Sequence, residues 1–301
     1  MEQFETRSLD GVSIRTLYET FIQAFADYSV DLSMDEEAFD LHLRRNAFDP
    51  ALSAGLFDSA SLKGFVLNGK RMYDGRLSVY DLGTGLVPEV RGKRLSSALF
   101  SFLFPILRQN GIAARVLEVI RTNTRAVRLY DSLGFRITRE FSCFSIDRKK
   151  LEVQEKVKAE AADIDALPAF YDSHPSFQNS RQAVKDAGGY AAVRVKDYAS
   201  ALFNPMTGSI AEISVRPDMR CRGTGESLLA CIKSECTGRT IRIVDVEAES
   251  LKSFLLGRGF ELFAEQWEMV NDLQDKPEGL DVSVLPTGSV AGSPVALHPY
   301  G

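Results

Sequence analysis

Cysteine and histidine are scarce: 301 residues contain four of the former and three of the latter. Cys143, Cys221, Cys231 and Cys236 follow no disulfide-framework or zinc-ribbon spacing, which points to a reduced, cytoplasmic protein without a metal. Long apolar runs are missing too. The longest, 95–107, is broken by Ser96, Ser97, Ser101 and Pro105, too short and too punctuated to cross a bilayer. The first eleven residues are polar and acidic with no apolar core, unlike a secretory signal. Nor is there an excess of one charge: 36 Lys and Arg face 41 Asp and Glu, a net charge of -5 that argues against a nucleic-acid partner. The nucleotide fingerprints G-x-x-x-x-G-K-[ST] and G-x-G-x-x-G are absent, and Gly83-Thr84-Gly85 is a fragment that suits a bend in a strand. What remains is an average globular composition, 45% hydrophobic, long enough for two domains that each bury a core without staples.

Periodicity divides the chain into two passes. In the first, 12–28 carries a helical apolar stripe, and Ser33-Met34-Asp35-Glu36 has the form of a capping box before a second helix with Phe39, Leu41 and Leu43 on its apolar face. Strand-like runs follow at 54–57 and 63–67, the latter broken by Asn68-Gly69, and at 77–86. An apolar helix over 96–109 contains Pro105, expected to kink it, and ends at Asn110-Gly111. A strand over 116–120, a helix over 124–133 and one or two strands over 136–146 complete the pass. Arg148-Lys149-Lys150 opens a charged stretch. The second pass then has helices over 164–171, 180–187, 225–233 and 250–256, and strands over 190–195, 199–203, 210–215 and 241–246. Trp267 is expected to pack in the last strand of this half. Residues 277–301 hold four prolines and four glycines without periodicity, the texture of a loose extension.

The passes repeat one another. Val87-Pro88-Glu89-Val90-Arg91-Gly92-Lys93-Arg94-Leu95-Ser96 parallels Arg216-Pro217-Asp218-Met219-Arg220-Cys221-Arg222-Gly223-Thr224-Gly225, in each case a strand end, a proline, an arginine three residues on, and then a helix. Each half closes on Gly-Phe, at 134–135 and 259–260, 43 and 39 residues beyond its arginine. Arg91 and Arg220 stand 129 residues apart, the span of a tandem duplication. A strand-loop-helix of this kind aims successive backbone N–H groups and the positive end of a helix dipole at one point, a site for phosphate or pyrophosphate.

Arg220-Cys221-Arg222-Gly223-Thr224-Gly225 resembles the R/Q-x-x-G-x-G/A signature of the GCN5-related N-acetyltransferases, with Val215 in the usual lead-in. The segment from Asn123 through Ala126, Leu129 and Tyr130 to Gly134-Phe135 resembles the same family's N-x-x-A-x-x-L-Y-x-x-x-G-F. The resemblance implies an α/β fold of two tandem domains, 1–148 and 151–272, each a mixed central sheet flanked by helices, followed by the tail 273–301. It also implies acetyl-coenzyme A as cosubstrate, bound in a cleft between diverging strands and giving its acetyl group directly to a primary amine of a small molecule or peptide. A base must then deprotonate the ammonium, a donor must stabilise the oxyanion, and an acid must protonate the thiolate.

On this resemblance the pyrophosphate loops are Val215 and 220–225 in the second half, and Arg91, Gly92, Lys93, Arg94, Leu95 and Ser96, with Asn123, in the first. Each half departs from the pattern. The first has Arg94 where a small residue belongs; its side chain either displaces the pyrophosphate or extends outward and adds charge. Ser96 is small enough to be tolerated, and its hydroxyl can cap the helix. This half keeps Tyr130, which is either the general acid or a ring packed on the sheet. The second half keeps its glycines but has Leu255 for Tyr130 and Ala248 for Asn123. Glu212, and in the first half Asp81 and Glu118, are candidate bases or ordinary strand carboxylates. Residues 174–180 form either a substrate-contacting loop or a simple turn, and Cys221 is either a filler or a reactive thiol beside two arginines. The complementary losses leave a second class of function open, a non-catalytic acyl-coenzyme A sensor or interaction module built on two degenerate copies. The acceptor and the oligomeric state are not written in the sequence.

Overall fold

The computed structural model describes residues 4–27, 34–93, 95–170 and 172–273. The chain forms two compact units: the described residues up to Arg139 together with 267–273, and Glu140–Gln266. The first contains β1 (Phe4–Ser8), α1 (Ile14–Phe25), α2 (Glu36–Arg45), β2 (Ala54–Asp58), β3 (Ser61–Tyr73), β4 (Arg76–Leu86), α3 (Leu95–Gln109), β5 (Ala114–Ile120), α4 (Thr124–Ser132) and the start of β6 (Arg136–Asp147). The second contains the rest of β6, then β7 (Glu160–Ala161), α5 (Arg181–Ala187), β8 (Ala191–Val195), β9 (Ala199–Phe203), β10 (Ser209–Val215), α6 (Thr224–Glu235), β11 (Thr240–Val246), α7 (Glu249–Leu256) and the start of β12 (Glu261–Asp272). Compact units and sequence repeats are therefore divided differently, because β6 and β12 each contribute residues to both units.

Each unit is a mixed sheet with helices on both faces. In the first, β1 to β4 pair antiparallel in sequence order, β5 lies parallel beside β4, and β12 follows β5. Alternation along β3 sends Val66 to the face covered by α3 and α4, where Leu99, Leu103, Leu117 and Leu129 meet. Phe65 points the other way and stacks on Phe21 of α1 at 5.8 Å. The second unit repeats the plan: β7 to β10 are antiparallel, β11 is parallel to β10, and β6 lies antiparallel on β11. Leu228, Leu229 and Leu255, from α6 and α7, cover Ala201, Ile210 and Ile243 on one face. Leu167 and Val184 cover Leu202 and Ala192 on the other. Among the described residues no helix is long and apolar enough to cross a membrane.

Several local expectations need correction. The cap of α2 is Asp35, whose side chain accepts from the Ala38 N–H; Ser33, like Tyr28, lies outside the described residues. Its buried face carries Phe39, Leu43 and His42, with Leu41 only partly covered. Where a helix was expected over 164–171, residues 164–170 make a single 3-10 turn, Ile164–Ala166, and Tyr171 lies outside the described residues. Helix α3 continues through Pro105. Trp267 packs against the core of the first unit, with the Arg121 guanidinium 4.5 Å from its ring. The tail beyond 273 lies outside the described residues.

Asn68-Gly69 does not end a strand, since β3 runs through it with a register shift between Leu67 and Asn68. The Asn68 amide turns inward to donate to the Leu52 carbonyl at 2.6 Å, so it is unavailable for a turn. Gly69 is needed for approach: a Cβ there would lie 1.7 Å from the Asn46 carbonyl oxygen at the end of α2. The turn is Asp74-Gly75, with φ of 48° and 72°. Gly69→Ala should therefore cost about 3 kcal/mol of overpacking. Gly75→Ala, with φ +72° but nothing within 4 Å of the new Cβ, should cost only ~1 kcal/mol of backbone strain. Urea denaturation of the two variants would compare them directly; equal losses would contradict the close approach.

Candidate functional site

In both units the parallel ladder is short and then opens. Strands β4 and β5 pair only from Ser78 to Tyr80, and β10 and β11 only at Ser209 and Ile210. An extra residue explains the opening. Leu67 and Asn68 pair with Gly83 and Asp81, leaving Leu82 as a bulge; Phe203 and Leu202 pair with Ile210 and Glu212, leaving Ala211. A bulge bends its strand away from its neighbour. Leu82 and Ala211 stand at the same 129-residue offset as the two arginines.

Beyond each bulged strand lies the same construction. A 3-10 turn, Pro88–Val90 or Pro217–Met219, leads to the arginine. Arg91 Nε donates to the Leu86 carbonyl at 3.0 Å, and Arg220 Nε to that of Val215 at 2.9 Å. The rest of each guanidinium grips an aspartate from upstream: Arg91 holds Asp27 at 2.6 and 2.9 Å, and Arg220 holds Asp172 at 2.9 Å. Ser250 Oγ also donates to Asp172 at 2.6 Å. These arginines build the loop by tying it to the strand it follows. The next residue is left-handed, Gly92 at φ 78° and Cys221 at φ 58°, so an exposed cysteine carries strain that glycine avoids in the first unit. Helix α6 is capped by Gly223 at φ 84°, and its first internal bond runs from Ser227 N to Gly223 O. The N–H groups of its first turn therefore have no helical partner. A Cβ on Gly225 would press on the Phe254 ring at 3.0 Å, so this glycine lets α7 approach.

The later motif also recurs in space. Asn123 caps α4 by accepting from the Ala126 N–H at 3.1 Å, whereas Ala248 caps α7 without a side-chain bond. Phe135 N bonds Tyr130 O, and Phe260 N bonds Leu255 O, each after a left-handed glycine. Tyr130 is fully buried in the first core, its ring edge-on to Phe135 at 5.4 Å, and Leu255 is buried in the same position of the second.

The two openings differ in what fills them. In the first unit the diverging strands are linked by buried side chains: Tyr80 of β4 donates to Glu118 of β5, and Asp81 pairs with Arg115 at 2.5 Å. Burial pushes the Asp81 carboxyl above its ordinary value, while Arg115, Thr84 and the Gly83 N–H draw it back. In the second unit two carboxylates stand on the wall of the gap, each held by side chains of that unit. Glu212 receives Arg181 through two bonds, 2.9 and 3.0 Å, and Ser200 at 3.2 Å. Asp245 receives Ser176 at 2.7 Å, Gln178 at 2.9 Å and Gln266 at 3.1 Å. Between them lies a cavity of about 500 Å³, walled by β10 from Ala211 to Val215, β11 from Ile243 onward, the loop at Arg220, Cys221, Gly223 and Gly225, and the segment 172–176.

Sequence reasoning reached part of this site. Val215, Arg220, Cys221, Gly223 and Gly225 line the cavity, as do Glu212 and several residues of the 174–180 loop. Arg222 is exposed and Thr224 buried in the first helical turn. In the first unit Gly92 and Lys93 are exposed, Arg91 and Leu95 half-buried, and Arg94 lies outside the described residues. Ser96 is the second helical residue, not a cap, and its buried hydroxyl has no hydrogen-bond partner among the described residues. Three contributors were missed. Asp172 and Lys156 sit far from any motif and Arg258 directly precedes the closing Gly259-Phe260 without belonging to it, so only their contacts reveal them. His174 also faces the cavity; its Nδ1 lies 2.9 Å from the Pro175 carbonyl, which can only accept. That contact requires a proton on Nδ1.

Residues 20–135 match the sequence model described as the acetyltransferase (GNAT) family. Solved structures resemble the chain over nearly its full length. A GCN5-related N-acetyltransferase from Sphaerobacter thermophilus superimposes with a TM-score of 0.64 at 16% identity, covering 90% of this chain and 96% of that one. A tandem GNAT protein from the clavulanic acid biosynthesis pathway gives 0.63 at 11% identity, covering 92% and 100%. A GCN5-related N-acetyltransferase from Kribbella flavida gives 0.53 at 14%, covering 90% and 72%. A search of curated proteins finds no match.

The Asp172 tether has a pH signature. Hydrogen bonds from Arg220 and Ser250 hold its carboxyl below the ordinary range. The stability it contributes is complete above the unfolded value, ~3.9, and disappears as pH falls through the lowered folded value. Asp172→Asn should therefore lower the urea midpoint at neutral pH, with the difference from the native protein shrinking below about pH 4. A difference independent of pH would contradict the ion pair.

Proposed function

We propose that the chain is a two-domain acetyltransferase of the GNAT family, which the match over residues 20–135 and the likeness in fold support, and that it moves the acetyl group of acetyl-coenzyme A directly to a primary amine of a small molecule or peptide, with the donor held in the second unit. One observation carries the choice of unit. The β10–β11 opening leads into a cavity, whereas the β4–β5 opening is bridged by Tyr80–Glu118 and Asp81–Arg115. The family match falls on the first unit, which retains the motif from Asn123 to Phe135. The residues of the second unit suit the group: the unpartnered amides of the α6 first turn suit the pyrophosphate, and the gap beside the Ala211 bulge suits the extended thiol arm.

Bound there, the donor supplies an activated thioester carbonyl. This chain must supply a proton acceptor, since an ammonium cannot attack. Glu212 is poorly placed for that task, because its oxygens are taken up by Arg181 and Ser200. Asp245 and Asp172 are likewise committed to their donors. His174, which lines the same cavity, is the base on this reading. Its Nε2 takes a proton from the acceptor ammonium as the amine attacks, and the imidazolium returns one to the departing thiolate. The second proton lost by the nitrogen goes to solvent. Tyr130, buried in the other unit, has no part in this sequence.

The competing reading, a non-catalytic acyl-coenzyme A sensor, is favoured by Leu255 and Ala248 standing where the first half has Tyr130 and Asn123. Thiol release over a panel of amines separates the two, since a sensor binds without turnover. Gly223→Val, which forces a branched side chain into φ +84°, should abolish calorimetric binding of acetyl-coenzyme A. Undiminished affinity would remove the donor from the second unit. His174→Gln should lower kcat on the order of 10²-fold with little change in donor affinity, and added imidazole should restore part of the rate. An unchanged kcat would exclude His174 as the base.

A further inference from the structure

The first turn of α6 carries its own anion. Glu226, the third helical residue, stands on the cavity wall where the reading above places the ligand's phosphates. A lone carboxylate there would repel them. It is not alone: Lys156 Nζ lies 2.9 Å from one Glu226 oxygen and Arg258 lies 3.3 Å from the same oxygen. Lys156 above all holds the Glu226 carboxyl below its usual range, with Arg258 adding to the effect, so the group stays an anion with two cations beside it. The cluster is net positive, and both cations line the cavity.

Lys156 comes from the stretch between the repeats and is fixed by its backbone. The Lys156 and Val157 N–H groups donate to Ser227 Oγ at 3.0 and 3.1 Å, and Ser227 Oγ donates to the Gly223 carbonyl at 3.1 Å. Gln154 N donates to the other Glu226 oxygen at 3.3 Å. The lysine stem then lies along Gly223, where a Cβ would meet Lys156 Cδ at 2.5 Å and Nζ at 3.4 Å. The glycine thus makes room for this chain's own lysine. Arg258 lines the same cavity, and its buried Nε has no hydrogen-bond partner among the described residues.

We propose that Lys156 and Arg258, held in place by Glu226, bind the phosphate groups of the coenzyme A moiety, so that the second unit selects phosphorylated thioesters over bare pantetheine thioesters. The proposal rests on the acetyl-coenzyme A reading and adds residues outside the loop motif to it. A flexible ammonium acts as a point charge, able to exchange part of its contact with Glu226 for a phosphate oxygen.

Calorimetry tests this with coenzyme A, dephospho-coenzyme A and acetylpantetheine, on the native protein, Lys156→Gln and Lys156→Arg. Lys156→Gln should weaken coenzyme A about tenfold and flatten the salt dependence of its affinity, while acetylpantetheine binding and thermal unfolding stay unchanged. Lys156→Arg should restore most of the loss. A tenfold loss that persists with dephospho-coenzyme A assigns the contact to the diphosphate, and one that vanishes assigns it to the 3′-phosphate. Native affinity in Lys156→Gln, or an equal loss for acetylpantetheine, would overturn the proposal. A folded native protein that binds no coenzyme A would instead overturn the reading on which it rests.

Discussion

The separation of β10 from β11 is the constraint on which the second unit depends. Two ladder pairs hold the strands together, and the extra residue at Ala211 then bends β10 away. Backbone groups exposed by such a parting need new partners or room for a ligand. The carboxylates on the wall of the gap are held by neighbouring side chains, Glu212 by Arg181 of α5 and Asp245 by Ser176 and Gln178. The loop tied down by Arg220 closes one end of the gap, and the pairing of Asp172 with that arginine draws the 172–176 segment along its side. Cavity, loop and wall are therefore consequences of one misfit in one ladder.

The first unit shows how little separates an open gap from a closed one. Its ladder is one pair longer and its bulge is equivalent, yet a tyrosine, two carboxylates and an arginine turned inward bind the diverging strands together. Burying such groups is tolerable only where they satisfy one another. A site and a core are here alternative uses of the same backbone, selected by a few polar side chains.

The duplicated architecture was legible because its signals are local: the proline three residues before an arginine, the left-handed glycines and the closing Gly-Phe all fall within short windows. Arg220 was found, but its role as a tether was not, because its partner Asp172 lies 48 residues upstream. Glu212 could be picked as a strand carboxylate, while Arg181, which occupies it, carries no motif. Asn68-Gly69 has the composition of a turn and was overridden by the Leu52 carbonyl and the approach of α2, neither of which sequence proximity reveals. Trp267 was assigned to the half that encodes it, whereas β12 passes from one unit into the other at that residue.

That passage has a consequence for the order of assembly. The first unit lacks its segment 267–273 until the whole of the second unit has been synthesised. Glu268 in that segment accepts hydrogen bonds from Tyr73, Thr138 and Arg139, and Met269 and Leu273 fill the core beneath α3 and α4. The second unit is one continuous stretch of chain and can close on its own contacts. The N-terminal unit therefore cannot finish before the residues of the second have been made. The earlier half must wait with an incomplete sheet, closing its longest loop only when the last strand arrives.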